Sequence, residues 1–130
     1  MPIPSRKTQY NVPHEISASI AYNDPSVTTG IQIGTLPAGA IATITRVLTS
    51  TAWNGTVSVA LSVGTTLTGT NFISASDVRT AIARADTVVP AAQMGPYASD
   101  TPIYASVVFG GTVGTAGLTT VMVEYLPVVG

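Results

Sequence analysis

IATITRVLTSTAWNGTVSVALSVG, residues Ile41 to Gly64, decides the fold. Its first half, Ile41 to Thr51, is crowded with β-branched residues. Side chains of that type pack well on a pleated sheet and lose rotamer freedom in a helix. A strand repeats every two residues, so Ala42, Ile44, Arg46 and Leu48 are predicted on one face, and Ile41, Thr43, Thr45 and Val47 on the other. Val57, Val59, Leu61 and Val63 resume the alternation and end at Gly64. Between the two runs stands Trp53-Asn54-Gly55-Thr56, and Asn-Gly flanked by alternating apolar runs predicts a hairpin.

The same period continues on both sides. Upstream, Ile16, Ala18, Ile20 and Tyr22 alternate with Ser17, Ser19 and Ala21 as far as a turn at Asn23-Asp24-Pro25. Ile31 and Ile33 make a short strand closed by Leu36-Pro37-Ala38-Gly39. Downstream, Thr65 to Thr70 reads as a polar loop. Ser74 to Asp86 reads as one short helical turn, opened by Ser76 and Asp77, followed by an extended segment that stops at Pro90. Asp100-Thr101-Pro102 then opens the strand Ile103 to Phe109, Gly110 to Gly117 forms a hairpin turn, and Leu118 to Leu126 alternates to the end. Seven or eight short strands with turn signals every 8 to 12 residues predict an all-β protein, an antiparallel β-sandwich of jelly-roll type. Residues 14–130 form that single domain. Residues 1–13 carry Pro2, Pro4 and Pro13 and no sustained apolar alternation, so they are predicted to be an extended N-terminal arm. An arm with so little core of its own is expected to lie on a neighbour, through Ile3, Tyr10 and Val12.

Composition limits the function. Charged residues make up 8% of the 130 residues, against about 25% in an average soluble domain. Apolar residues make up 45%, and the mean hydropathy is +0.42. The surface must therefore be covered largely by Thr, Ser, Ala and Gly. Burying a hydroxyl that finds a hydrogen bond costs far less than burying an unpaired charge, so such a surface suits a permanent place in an assembly. A net charge of −1 argues against nucleic acid as a partner. No apolar run reaches the roughly 18 to 20 residues of a membrane helix, and no membrane partner is expected. The N-terminus has two basic residues without a following apolar region, so no secretory signal is predicted. There are no cysteines, which excludes disulfides and thiolate ligands and suits manufacture in a reducing cytoplasm.

Little in the chain points to catalysis. His14 is the one imidazole, and on a strand its neighbour Glu15 points to the opposite face, so the two make no dyad. No nucleophile motif such as G-x-S-x-G occurs. Asp24, Asp77, Asp86 and Asp100 fall in turns or at strand ends, where aspartate commonly bonds its own backbone, and no loop has the spacing of a calcium site. No catalytic residue, cofactor or metal is expected, and the protein is read as no enzyme. Arg46, mid-strand among apolar neighbours, either snorkels to solvent or pairs with Glu124 or Asp77 of another subunit. Trp53 is either a core or rim aromatic, or a platform for a partner or sugar.

The segments Trp53 to Val59, Leu61 to Thr66, Asp100 to Tyr104 and Thr115 to Tyr125, taken together, resemble small virion proteins of tailed bacteriophages. These are β-sandwich or jelly-roll proteins that decorate or cement the head, or sit at the base of head fibres. The resemblance covers roughly Ile41 to Pro127. It implies a homotrimer or similar cluster seated on the major capsid protein at the capsid exterior, with no catalytic motif to carry over. Partner binding is expected of Ile3, Tyr10, Val12 and Trp53. A different class of function, a carbohydrate- or receptor-binding module of a tail or fibre, would use Trp53, Tyr97 and Tyr104 as stacking residues. A hydrolase using His14 and a distant acid is a third and weaker reading.

Overall fold

The computed structural model describes residues 13–79 and 83–127. Of the expected arm, Pro13 alone falls within them; residues 1–12, with Ile3, Tyr10 and Val12, lie outside the described residues.

Eight strands follow one another: β1 (His14–Ala21), β2 (Ile31–Leu36), β3 (Ile41–Thr51), β4 (Ser58–Gly64), β5 (Ile73–Asp77), β6 (Ala83–Val88), β7 (Thr101–Gly110) and β8 (Leu118–Leu126). A single turn of 3-10 helix, Ala91–Gln93, follows Pro90. The strands form two antiparallel four-stranded sheets, β1-β8-β3-β6 and β2-β7-β4-β5. First pairs with last, second with seventh, third with sixth and fourth with fifth. This is one long antiparallel hairpin rolled up into two layers, which is the jelly roll.

The core lies between the layers. Ile20, Val47, Val121 and Val123 face inward from the first sheet, and Val59, Leu61, Val63, Ile103 and Val107 from the second, all buried. Burying an aliphatic side chain of this kind contributes roughly 1.5–3 kcal/mol, so these residues hold the layers together. Phe72, Trp53 and Val78, from the connecting loops, close the core. Asp24, Asp77 and Asp100 bond backbone amides of Ala21, Arg79 and Ala38, as the turn reading predicts.

Four local predictions are corrected. Asn54-Gly55 does not make a hairpin, because β3 and β4 belong to opposite sheets. Asn54 Oδ1 instead accepts from the amides of Thr115 and Ala116 at 2.7 and 3.0 Å, and ties its loop to the one before β8. Nor does Gly110 to Gly117 close a hairpin: β7 and β8 also lie in different layers, and the loop crosses from one to the other. A turn signal marks where the chain reverses, but not whether it returns in the same layer. The predicted helical turn is absent, since Ser76 and Asp77 belong to β5, held by pairing of Leu61 with Ser76 and Ala60 with Asp77. Finally, a bulge between Ala42 and Ile44 shifts the parity of β3. Ala42 is therefore buried together with Thr45, Val47 and Thr49, while Ile44, Arg46 and Leu48 face outward.

Candidate functional site

Outward-facing Ile44 and Leu48 mark the first surface of interest. On the outer face of β1-β8-β3-β6, register places Glu15 beside Glu124, and Met122 beside both Ser17 and Arg46. On the far side of β3, Ile44 meets Val88, Arg46 meets Asp86 and Leu48 meets Arg84. The face therefore mixes aliphatic side chains with a charge network. Val88 is 74% exposed and Leu118 is also exposed at the other end of the face.

Arg46 is the hub of the network. Its guanidinium donates to Glu124 at 2.8 Å and lies 3.5 Å from Glu15 and 3.9 Å from Asp86. The pairing with Glu124 expected between subunits is thus found inside one chain. Arg84 grips Asp86 through two hydrogen bonds of 2.9 and 2.8 Å. These bonds hold the Asp86 carboxyl below its usual range and push the Arg84 guanidinium up. Glu15, Arg46, Arg84, Asp86 and Glu124 account for five of the nine charged side chains among the described residues. Charges so sparse elsewhere are gathered on one sheet face. The sequence signal was Arg46 in mid-strand, but its partners come from β1, β6 and β8 and needed the fold.

The opposite face, on β4 and β7, carries Ser58, Ala60, Ser62, Gly64, Tyr104, Ser106 and Val108 in register; Ser62, Gly64 and Ser106 among them are buried, and Ser62 donates to Ser74 O. Near one end, Val108 and Val113 line a shallow depression beside Gly111, and exposed Val57 lies against the same glycine. No charged side chain occurs along these two strands.

Trp53 is not on either surface. It is 1% exposed, packs against Phe109 at 5.9 Å between ring centroids, and donates from Nε1 to Thr119 Oγ1 at 2.8 Å. Gly117 covers one ring face so closely that a Cβ there would lie 2.4 Å from Trp53 Cδ2. A ring enclosed in this way has no face for a sugar or a partner, which corrects its assignment as a contact residue. Tyr97 belongs to the far end of β3, where its amide donates to Ala40 O, and its hydroxyl donates to Gln93 O. The eleven residues of β3, roughly 35 Å of strand, separate Trp53 from Tyr97, so these aromatics do not converge on one platform. His14 packs near Tyr125 at 5.8 Å between ring centroids. Among the described residues no three His, Asp or Glu side chains are grouped to hold a metal ion.

No family model matches the sequence, and no curated protein matches it. Solved structures that share the fold include chains from three phage capsids. A chain of the cyanophage Pam1 capsid asymmetric unit superposes with a TM-score of 0.69 at 22% identity, covering 89% of this chain and 85% of that one. A chain from the capsid of Ralstonia phage GP4 gives 0.65 at 17% identity, with 91% and 84% covered. A chain in the acidic stable capsid structure of Helicobacter pylori bacteriophage KHP30 gives 0.56 at 17% identity, with 88% and 87% covered. At these identities the likeness is one of fold, and it extends over nearly the whole length of each partner in the comparison.

Proposed function

We propose that this chain is a structural virion protein of a tailed bacteriophage, one that decorates or cements the capsid by packing between neighbouring subunits. The observation that carries the reading is the recurrence of this fold, over at least 84% of each neighbour's length, in chains from three phage capsids. The surfaces support it. One sheet face combines half-buried Ile44, Leu48 and Met122 with a central arginine, and Met and Arg are enriched in protein interfaces. The other carries no charge along β4 and β7 and exposes Ser58 and Val108, with Ala60 and Tyr104 part-exposed, a surface that costs little to desolvate.

On this reading the protein sits on the capsid exterior, against the major capsid protein, as a trimer or another symmetric cluster. Its work is passive: it adds buried area across capsid joints and performs no chemistry. The N-terminal arm, through Ile3, Tyr10 and Val12, reaches onto an adjacent subunit. The receptor-binding alternative loses its principal stacking residue now that Trp53 is enclosed.

Deleting residues 1–12 and measuring incorporation into particles tests the arm. The expected outcome is a folded protein, with unchanged thermal unfolding, that is lost from particles or released at lower temperature. Incorporation equal to that of the full chain, with equal particle stability, removes the role given to the arm.

A further inference from the structure

β5 and β6 end their respective sheets on the same side of the sandwich, and each leaves one edge without a strand among the described residues. Between them the layers gape. A groove of about 380 Å³ runs from Asn71 and Phe72 past Ser74 and Ser76 of β5 to Thr87 of β6 and Pro90. A second depression of about 250 Å³ continues along Ser76 and Asp77 to Ala83 and Ala85, with Val47 and Thr49 at its floor. Ala85 faces inward, in register with buried Val47, yet is itself exposed. At Ala85 the inner face of β6 therefore overhangs the edge of the second sheet with nothing packed on it among the described residues. On the opposite side of the sandwich the layers do meet: a Cβ on Gly34 of β2 would lie 2.3 Å from Ile16 of β1.

We propose that the free edge of β6 receives residues Ser5 to Val12 of a second copy as an added strand, with Tyr10 and Val12 seated in the groove between β6 and β5. The inference rests on the reading that the chain works by packing against its own kind, and it names the contact.

Three observations select this occupant. An open edge beside an unfilled groove fits an extended segment, whose backbone supplies the edge's missing hydrogen bonds and whose alternate side chains fill the slot. Ser5 to Val12 is the proline-free part of the N-terminal segment, so each of its residues can donate to a ladder. At period two it sets Thr8, Tyr10 and Val12 on one face and Lys7, Gln9 and Asn11 on the other. Charge also matches. The described residues hold six acidic side chains against three arginines, and Arg6 and Lys7 are the remaining cations of the chain. Asp77, at one end of the groove, has no ion-pair partner among the described residues, whereas Arg84, which lines the same depression, is already neutralised by Asp86.

Direction makes the contact intermolecular. The segment joins the chain at β1, and β1 and β6 are opposite edges of one sheet. An arm leaving one edge of each copy and a slot on the other edge give a head-to-tail contact, which closes into a ring when the rotation between copies allows.

The absence of native cysteine allows a direct test. Full-length Tyr10→Cys and full-length Ala85→Cys, one of them isotopically labelled, are mixed and gently oxidised. Linked peptides are then identified by mass spectrometry. Val12→Cys with Thr87→Cys is the second pair, and Ser17→Cys, exposed on the outer face of β1, replaces Ala85→Cys as the control. The expected result is a disulfide between the introduced thiols of two different chains, in large excess over the Ser17→Cys control. Linking to neither, linking to both alike, or linking within one chain when both substitutions are placed together overturns the proposal. Sedimentation separates this failure from a wider one. A wild-type chain that associates without the cross-link leaves the virion reading standing and sinks this contact; a chain that is monomeric at every concentration sinks the contact on its own.

Discussion

Two buried threonines, Thr119 and Thr45, show how one hydroxyl can help or hurt the same core. Thr119 Oγ1 accepts from Trp53 Nε1 at 2.8 Å and lies 3.2 Å from Thr49 Oγ1, so it satisfies the indole and is satisfied in turn. Thr45, fully buried on β3, has an Oγ1 without any hydrogen-bond partner among the described residues. A buried polar group left unpaired costs about 1–3 kcal/mol. Thr45→Val is therefore expected to stabilise the protein by about 1 kcal/mol, and Thr119→Val to destabilise it by about 1–3 kcal/mol because the Trp53 N–H is then orphaned. Urea unfolding of both variants checks the opposite signs. A Thr45→Val midpoint below wild type would show that the hydroxyl has a partner after all. The glycine at 117 belongs to the same setting, since its φ of +151° and the ring against it leave no room for a side chain.

At the scale of elements, Arg46 acts as a strut across β1, β8 and β3. Glu15 and Glu124 stand directly opposite each other on β1 and β8, and like charges in that position repel. Arg46, reaching both, offsets the repulsion. Arg46→Met is expected to destabilise the fold by about 1 kcal/mol, with roughly half of that loss removed by adding Glu15→Gln. A double-mutant cycle measures the coupling, and additive effects would mean that Glu15 takes no part. The strut shows what could be read in advance. The boundaries of β8 at Leu118 and Leu126 follow from alternation alone, and the turns held by Asp24 and Asp100 from their Asp and Pro residues. Pairing of Arg46 with three acids does not, because its partners lie 31, 40 and 78 positions away in the chain and only the rolled topology brings them together. The reading of Asn54-Gly55 as a hairpin failed for a related reason: it was local, and the choice between one layer and two depends on β8 claiming the side of β3. The bulge at Ala42 likewise left no trace in the apolar pattern.

For the whole molecule, the low charge content acquires a place. Most of the charged side chains of the described residues gather on one sheet face, and the rest mainly cap turns, so the β4–β7 face is left neutral. Together with the edge of β6 left open among the described residues and a fold shared with chains of three phage capsids, this is the arrangement that the proposed virion role asks for, a body that can be covered on several sides. The most direct test is to locate the chain in an averaged cryo-electron microscopy map of the intact particle. The account predicts density for the eight-stranded sandwich on the outside of the shell, in a symmetric cluster, with its sheet faces against neighbouring subunits. A chain found only at the tail tip with both sheet faces open to solvent, or absent from the particle altogether, would contradict it.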